Sequence, residues 1–422
     1  MAAAAPRALG PLARREQRLA YALLAPTVGV VLLVVLAPLL ANFWISAKPV
    51  RLEDLRPPQL FVNERLRGDI EAAGDVAAIE YRLRNSSRKD ELRAARFTDV
   101  LPEEVEAVEV DGRCGLDGRR LACDLGTLAP GASFRLTVLF RALAAGRPDV
   151  RASAPAAAAE ADSVLTSLEF SFANFQLLFS AHDFWEVLKV SFYYTVFGTA
   201  GALLLGLCAA QMLFKDFAGR GFLRGLFLFP YVAPVIAVAF AWVVLLDPFS
   251  GTVNAMLQRM GAVAEPVNFL GARYVELGFF GLAFDFPLAL ATVIAFEAWR
   301  YFPLSFLFIL ARMQALPASL YEAAEMDAAT PLQQFWRIGM PQLAGILAVL
   351  FLLRFIWTFN KFDDIFLLTG GAAGTRTLTV NVYEQAFALS NLGAGAAVAV
   401  LIFVLLLGFS LVFIKYAPKD EG

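Results

Sequence analysis

The chain has 422 residues, 59% of them hydrophobic and 18% charged, with a mean hydropathy of +0.61. Soluble proteins are usually about 45–50% apolar and about 25% charged, so this composition indicates a membrane protein and excludes disorder, coiled coil and collagen. The 36 basic and 38 acidic residues give a net charge of −2, which lacks the basic excess of a nucleic-acid-binding protein.

Six apolar runs are long enough to cross a bilayer, which takes about 20 residues in a helix. The runs cover residues 20–45, 187–214, 225–246, 286–310, 343–368 and 394–414. The basic residues before the first run are also typical of a cleaved signal peptide, but that run is longer than a signal core and no small-residue cleavage pattern follows it closely. We therefore predict an α-helical polytopic membrane protein with six spans.

The distribution of Lys and Arg predicts which side each connection occupies, because basic residues favour the cytoplasmic side. They are concentrated in the N-terminal tail, in residues 215–224, in residues 312–337 and in the C-terminal tail. Connections 248–285 and 369–393 are poor in them. Both termini are therefore predicted to be cytoplasmic. Residues 47–180 are predicted to lie outside, since long segments are translocated largely regardless of charge.

Residues 47–165, between the first two spans, have the pattern of a small β domain. Apolar Ala77, Ile79, Tyr81 and Leu83 alternate with polar or small neighbours. This period of two, bounded by Gly, Pro and Asp, predicts half-buried strands and an inserted all-β sandwich. The Ala- and Pro-rich residues 144–163 are predicted to connect it to the second span.

Cys114 and Cys123 bracket the turn at Asp117-Gly118, as the two sides of a hairpin would. Outside the cytoplasm a disulfide between them is expected, the alternative being two buried thiols. The stretch from Cys114 to Phe134 resembles the Ig-like repeat of bacterial surface proteins. That resemblance implies a sandwich with a contact role and no chemistry.

Two short helices that meet at Ala329-Thr330 and lie at the membrane surface are predicted between the fourth and fifth spans, within residues 319–338. Ser319 followed by Glu322 fits a capping box, and Thr330 with Gln333 repeats the signal with Pro331 at the first helical position. A short helix with small residues on one face suits a groove on another protein. The residues on that predicted face are Leu320, Ala323, Ala324 and Asp327.

The same segment resembles the signature of permease subunits of binding-protein-dependent ABC importers. That signature is E-A-A, three residues, Gly, nine residues, then I-x-L-P. Ala328 stands where the family has Gly, and Met340 where it has Leu. The matching residues are Glu322, Ala323, Ala324, Ala328, Ile338 and Pro341.

The resemblance extends over residues 172–416 and implies the ABC importer permease fold. Residues 227–231 and 359–371 look like the carbohydrate branch, that of maltose, trehalose and glycerol-phosphate permeases. In that family Glu322 would contact a basic groove on an ATPase subunit; its alternative role is a plain capping-box partner. The implied partners are a second permease subunit, an ATPase dimer, an extracytoplasmic solute-binding protein and the lipid bilayer.

Ionisable residues inside spans usually face a bundle interior or a wet path. Glu297 and Arg300, three residues apart on one predicted helix, are expected either to pair with each other or to line such a path. In the fifth span Asn360 and Asp364 share a predicted face, although the acidic residues there could instead be hydrated at the membrane interface. The full candidate substrate path is Glu297, Arg300, Trp357, Asn360, Lys361, Phe362 and Asp364.

No catalytic or metal site is predicted. The single histidine, His182, excludes multi-histidine metal sites. The sequence lacks the G-x-x-x-x-G-K-[ST] loop, so ATP and magnesium are expected to be bound by partner chains.

The predicted layout is a tail and first span (1–46), the β insert (47–165) and a permease core (166–422) that imports a carbohydrate or polyol. The alternative function is a membrane-anchored sensor or assembly protein that uses the β insert. An intramembrane enzyme would need a nucleophile with a base, or a metal set, within the spans.

Overall fold

The computed structural model describes residues 11–279 and 282–416. The chain forms two compact units, one of Met1–Ala47 with Phe172–Gly422 and one of Lys48–Ser171. The basic tail residues at 1–10 and 417–422, used above to predict orientation, lie outside the described residues.

The first unit is helical, apart from a hairpin of β9 (Val275–Phe279) and β10 (Leu282–Phe286). Single π-helical turns lie at Leu32–Leu36, Phe335–Gly339 and Glu384–Ala388. Its helices are α1 (Pro11–Val31), α2 (Ala37–Ser46), α3 (Ala173–Ser180), α4 (Phe184–Phe214), α5 (Arg220–Phe227), α6 (Phe229–Val232), α7 (Val235–Leu245), α8 (Thr252–Arg259), α9 (Leu288–Gln314), α10 (Ala318–Met326), α11 (Pro331–Gln334), α12 (Met340–Phe359), α13 (Asp363–Thr369), α14 (Leu378–Tyr383) and α15 (Leu392–Tyr416).

Five helical stretches in the described residues are long and apolar enough to span a membrane. A sixth candidate, in the third predicted run, is bent by 91° between Val232 and Val235. Ala233 is extended there because the following Pro234 disfavours helical geometry at the residue before it. The structure therefore has a broken helix where the sequence predicted an uninterrupted one.

Helices α4 and α9 approach closely through small residues. A methyl group on Gly206 would lie 2.6 Å from the Cβ of Ser305, and one on Gly198 would lie 2.8 Å from the Cγ of Glu297. Helices in membranes associate by such close backbone approach. This contact places Glu297 against α4 in the interior of the unit.

The fifth predicted span, 343–368, is wrong at its end. Helix α12 stops at Phe359, and a separate helix, α13, begins at Asp363. Two acidic residues in the first turn of α13 suit the positive end of a new helix. Asn360 and Asp364 therefore do not share a helical face: Asn360 is exposed, and Asp364 is fully buried.

One of the two predicted capping boxes is present. The Thr330 N–H donates to Gln333 Oε1 at 2.8 Å, and the Gln333 N–H donates to Thr330 Oγ1 at 3.3 Å. The box at Ser319 is wrong, because α10 begins at Ala318 after Pro317, with no side-chain hydrogen bond at its cap. Proline at the start of a helix fixes φ and needs no such cap.

The second predicted short helix is not a separate element. Pro331–Phe359 is one helical stretch of 29 residues. A π-helical turn, Phe335–Gly339, comes directly before the turn that contains Pro341. A wider turn accommodates the missing N–H of a proline without ending the helix.

The second unit contains two four-stranded antiparallel sheets, in the orders β1-β2-β7-β4 and β5-β6-β3-β8. The two sheets contribute to one hydrophobic core, which includes Ile79, Tyr81, Phe97, Leu121 and Phe140. Cys114 and Cys123 form a disulfide between directly opposed positions of the β5–β6 hairpin. The strands are β1 (Leu60–Arg67), β2 (Val76–Asn85), β3 (Leu92–Val100), β4 (Val105–Val110), β5 (Cys114–Asp117), β6 (Arg120–Leu128), β7 (Ser133–Ala142) and β8 (Ala156–Glu160).

Candidate functional site

Helix α10 has no buried residue in this chain. Glu322, Ala323 and Asp327 are exposed, and Ala324 is half-buried. Large apolar side chains are also exposed around the turn, with Met326 at 88% and Trp336 at 60%. A short helix that exposes apolar and acidic side chains together is suited to contact another protein.

The turn after α10 has a left-handed residue, Ala328, at φ +54°. The Ala328 N–H donates to the carbonyl of Glu325 at 3.0 Å, and the Ala329 N–H donates to that of Ala324 at 2.9 Å. Glycine usually occupies such a position because a Cβ is strained there. Ala328 therefore adopts the conformation that the glycine of the signature would favour.

A buried ion pair joins α9 to α12 in the helical unit. Glu297 and Arg354, 0% and 2% exposed, are in direct contact. The Thr358 hydroxyl donates to Glu297 Oε1 at 2.8 Å, and the Tyr194 hydroxyl donates to Oε2 at 3.0 Å. Both carboxylate oxygens are therefore hydrogen-bonded, as a buried charge requires.

Arg300 bonds to the broken helix and not to Glu297. Its guanidinium donates to the carbonyls of Pro230 at 3.2 Å and Ala233 at 3.1 Å. These carbonyls flank the bend, where the helical hydrogen bonds stop, and the guanidinium satisfies them. Of the alternatives given above, pairing between Glu297 and Arg300 is wrong, because each side chain reaches a different neighbouring element.

Asp364 lies beside two cations without a hydrogen bond to either. Its oxygens are 4.0 Å from Arg300 Nε and 4.0 Å from Lys361 Nζ. Neither oxygen has a hydrogen-bond partner among the described residues. The Tyr301 ring lies 4.4 Å from both the Arg354 guanidinium and Lys361 Nζ. The face of the ring therefore stabilises the charges of Arg354 and Lys361 through cation–π interactions.

The candidate path residues separate into two groups. Glu297, Arg300 and Asp364 are buried within this chain. Asn360 and Trp357 are exposed, while Lys361 and Phe362 are half-buried between the two groups. The first group is therefore enclosed by helices of this chain, and the second lies on its surface.

Sequence reasoning did not single out Tyr194, Tyr301 or Thr358 as parts of this cluster. Thr358 lies four residues after Arg354, so the two share a helix face, and that spacing was a usable signal. Tyr194 and Tyr301 lie on other helices, and only the packing of α4 and α9 shows their role.

Residues 202–417 match the family described as binding-protein-dependent transport system inner membrane component. The chain is 34% identical over 235 residues to the inner membrane ABC transporter permease protein YcjO of Escherichia coli, covering 56% of this chain and 75% of that protein. It is 32% identical over 244 residues to the trehalose/maltose transport system permease protein MalF of Thermococcus litoralis, covering 57% and 77%. This chain belongs to the family of inner membrane components of binding-protein-dependent transport systems.

A solved structure supports the fold assignment. The chain resembles a bacterial ABC transporter involved in the import of the acidic polysaccharide alginate, with a TM-score of 0.52 and 21% identity. The match covers 61% of this chain and 86% of the other. The helical unit therefore has an ABC importer permease fold.

Proposed function

We propose that this chain is the permease subunit of an ABC importer for a carbohydrate or a related polyol. The relatives named above include a trehalose/maltose permease, and a glycerol-3-phosphate permease protein of Agrobacterium fabrum is 30% identical over 259 residues. A second permease, an ATPase dimer that binds ATP and magnesium, and an extracytoplasmic solute-binding protein complete the proposed complex. A membrane-anchored sensor is not favoured, because the family match is to a transport component.

One observation carries the proposed mechanism: a single helical stretch connects the exposed turn to the candidate path. Pro331–Phe359 starts directly after Thr330 and ends directly before Asn360. At 1.5 Å per residue its 29 residues are about 43 Å long. Movement of α10 and its turn by an ATPase would be transmitted along this helix to Arg354, Thr358 and Asn360.

We propose different roles for the exposed and the buried residues of the candidate path. Asn360 would hydrogen-bond solute hydroxyls through its amide, and the exposed Trp357 would pack against a sugar ring. Such exposed groups give weak, passing contacts, which suit a transport path. Glu297, Arg300 and Asp364 would hold α9, α12, α13 and the bent helix in register around it.

The docking proposal is tested by Glu322→Arg in the assembled complex. Charge reversal on exposed α10 is expected to abolish co-purification of the ATPase and uptake together. Glu265→Arg, a charge reversal at another exposed glutamate, in the loop after α8, is the matched control and should retain ATPase binding. Undiminished ATPase binding and uptake in Glu322→Arg would reject the docking role.

The proposed orientation is tested by cysteine labelling in a Cys208→Ala background. Met326→Cys should react with an impermeant thiol reagent only after the membrane is opened, whereas Thr98→Cys, at an exposed position of β3, should react in intact cells. Labelling of Met326→Cys in intact cells would contradict a cytoplasmic α10.

A further inference from the structure

One face of the four-stranded β1-β2-β7-β4 sheet carries a cluster of arginines on β1, β2 and β7. Because side chains alternate between the faces of a strand, the exposed positions of these strands share one outer face. Exposure is 48% for the Arg67 side chain, 44% for Arg82 and 65% for Arg135. We call the outer face of these three strands the basic face; its arginines are Arg65, Arg67, Arg82, Arg84, Arg135 and Arg141, the last of which is opposite Glu106 of β4.

The basic face has a large excess of positive charge. Arg82 and Arg135 are directly opposite on β2 and β7, an arrangement of like charges that is unfavourable by itself. Glu80 accepts from Arg67 at 2.9 Å and from Arg82 at 2.6 Å and is 3.7 Å from Arg135. Three cations thus share one carboxylate, and within the described residues Arg65 and Arg84 form no ion pair.

The β unit as a whole has no excess of positive charge. Residues 48–171 contain 18 Lys and Arg and 21 Asp and Glu, which gives 18 − 21 = −3. The basic excess is therefore segregated onto one face of an otherwise acidic unit. Such segregation indicates a surface that meets a negatively charged partner.

The β unit is attached at both ends to the membrane-spanning unit, so the lipid bilayer is a nearby surface that can carry negative charge. The unit starts at Lys48, two residues after the last residue of α2, and ends at Ser171, two residues before the first residue of α3. Lys48 donates to the carbonyl of Val164 at 3.0 Å and contacts Ser167, which joins the two connecting segments. The covalent attachment at both ends keeps the unit at a high effective concentration near the bilayer.

We propose that the basic face binds the phosphate groups of anionic phospholipids in the membrane that anchors the chain. Arginine forms paired hydrogen bonds with phosphate oxygens, and each basic residue near an anionic membrane surface favours binding by about fivefold. Phe61, 58% exposed, is opposite Arg84 at one end of this face and adds an aromatic side chain suited to the interfacial region. The proposal holds for either leaflet, so it does not depend on the proposed orientation or on the transported solute.

The test uses the full chain in lipid nanodiscs, in a Cys208→Ala background with a spin label at one position. Asn63→Cys places the label on β1 opposite Arg82, and Ala122→Cys places it on an exposed position of β6 in the other sheet. In discs containing phosphatidylglycerol, the label at position 63 should lose accessibility to a water-soluble relaxation agent. The label at 122 should not change, and discs of phosphatidylcholine alone should leave both labels accessible.

Matched variants test whether the arginines of the basic face, and not the charge of the β unit in general, protect the label at position 63. Glutamine at Arg65, Arg82, Arg84 and Arg135 together should restore accessibility at 63, and added salt should do the same. Arg96→Gln with Arg120→Gln, on the outer face of the other sheet, should retain the lipid effect. An unchanged label at 122 and an intact Cys114–Cys123 disulfide show that the variant unit is folded.

Three outcomes would overturn the proposal. These are equal accessibility at position 63 in both lipids, equal protection at positions 63 and 122, and protection that persists after the four arginines are replaced. Protection that appears only when a soluble protein is added would assign the face to a protein partner and also reject lipid binding.

Discussion

Glu297 and Arg354 place opposite charges in the interior of the helical unit, where an unpaired charge would be costly. Tyr194 and Thr358 complete the hydrogen bonds of the carboxylate. Polar residues inside apolar runs were recognisable from the sequence. Their partners were not, because Arg354 is 57 residues from Glu297 and the pair depends on how α9 meets α12.

Breaking this pair on one side should destabilise the chain strongly. Arg354→Met leaves Glu297 without its cation and is expected to cost about 3–5 kcal/mol, measured by thermal unfolding in detergent. Adding Glu297→Gln to Arg354→Met should recover much of that loss, since neither position of the pair then carries a charge. Asp216→Asn, which removes an exposed pair with Arg220, should change stability by no more than about 0.5 kcal/mol. Equal stability of the single and double variants would contradict this account.

A buried carboxyl in the β unit should make that unit sensitive to pH. Burial, followed by the neighbouring Asp99, raises the pKa of Glu64 from 4.5 to about 7. Because the folded state holds this proton more tightly than the unfolded state, stability is full below about pH 4.5 and falls as the pH rises through about 7. Glu80 does not make stability depend on pH in this range, because its arginine partners lower its pKa to about 2.

The free energy of unfolding of the wild-type β unit should fall by roughly 1–2 kcal/mol between about pH 5.5 and about pH 8. We expect Glu64→Gln to abolish this fall. Calorimetry of the purified full chain at both pH values measures the difference between wild type and variant. Wild type and variant with the same pH dependence would show that Glu64 does not titrate with folding.

At the scale of elements, glycines and caps determine where helices meet and begin. Gly206 lets α4 approach the backbone of α9, since a methyl group in its place would lie 2.8 Å from the Phe306 nitrogen. Thr330 caps the long helix, whereas Ser319 caps nothing. The sequence predicted both caps alike. The spacing of Ser319 and Glu322 did not show that α10 begins one residue earlier, at Ala318, directly after Pro317.

Gly206→Ala should loosen the α4–α9 contact. The added methyl group would overlap Ser305 and the backbone of Phe306, at a cost of about 1–3 kcal/mol in thermal unfolding. Gly408→Ala on α15 is the control, because nothing lies within 4 Å of its Cβ position. Similar melting temperatures for the two variants would argue against close packing at Gly206.

The two capping sites should respond differently to alanine. Thr330→Ala should destabilise the start of the long helix by about 1 kcal/mol, seen as faster amide exchange in residues 331–335. Ser319→Ala should leave exchange in α10 unchanged, because its side chain makes no capping bond. The opposite ranking would show that Ser319, and not Thr330, starts a helix.

At the scale of the whole molecule, the chain combines two units with separate cores. The family match covers 202–417, and the β unit lies outside it. Within the helical unit, the Asn174 side chain donates to the carbonyl of Ser46 at 2.9 Å, so the two points of attachment lie close together.

Replacing Lys48–Ser171 by a short Gly-Ser linker should therefore leave the helical unit folded. The expected result is a monodisperse detergent complex with the helical circular dichroism of the remaining chain and, in the proposed complex, retained ATPase co-purification. Aggregation of the excised chain would show that the helical unit needs the β unit to fold.

The sequence by itself determined the membrane class, much of the β-strand pattern, the Thr330 cap and the family, because composition, periodicity and short-range spacing are local properties. The prediction that residues 144–163 are only a connector was wrong, because β8 (Ala156–Glu160) lies within them and pairs with β3. Only the tertiary structure decided that α12 ends before Asn360, that Arg300 satisfies the carbonyls of a bent helix, and that Glu297 pairs with Arg354. It also determined that arginines from three strands share one face. These features depend on contacts between residues distant in the chain, and helical or strand periodicity carries no information about which distant element a side chain will meet.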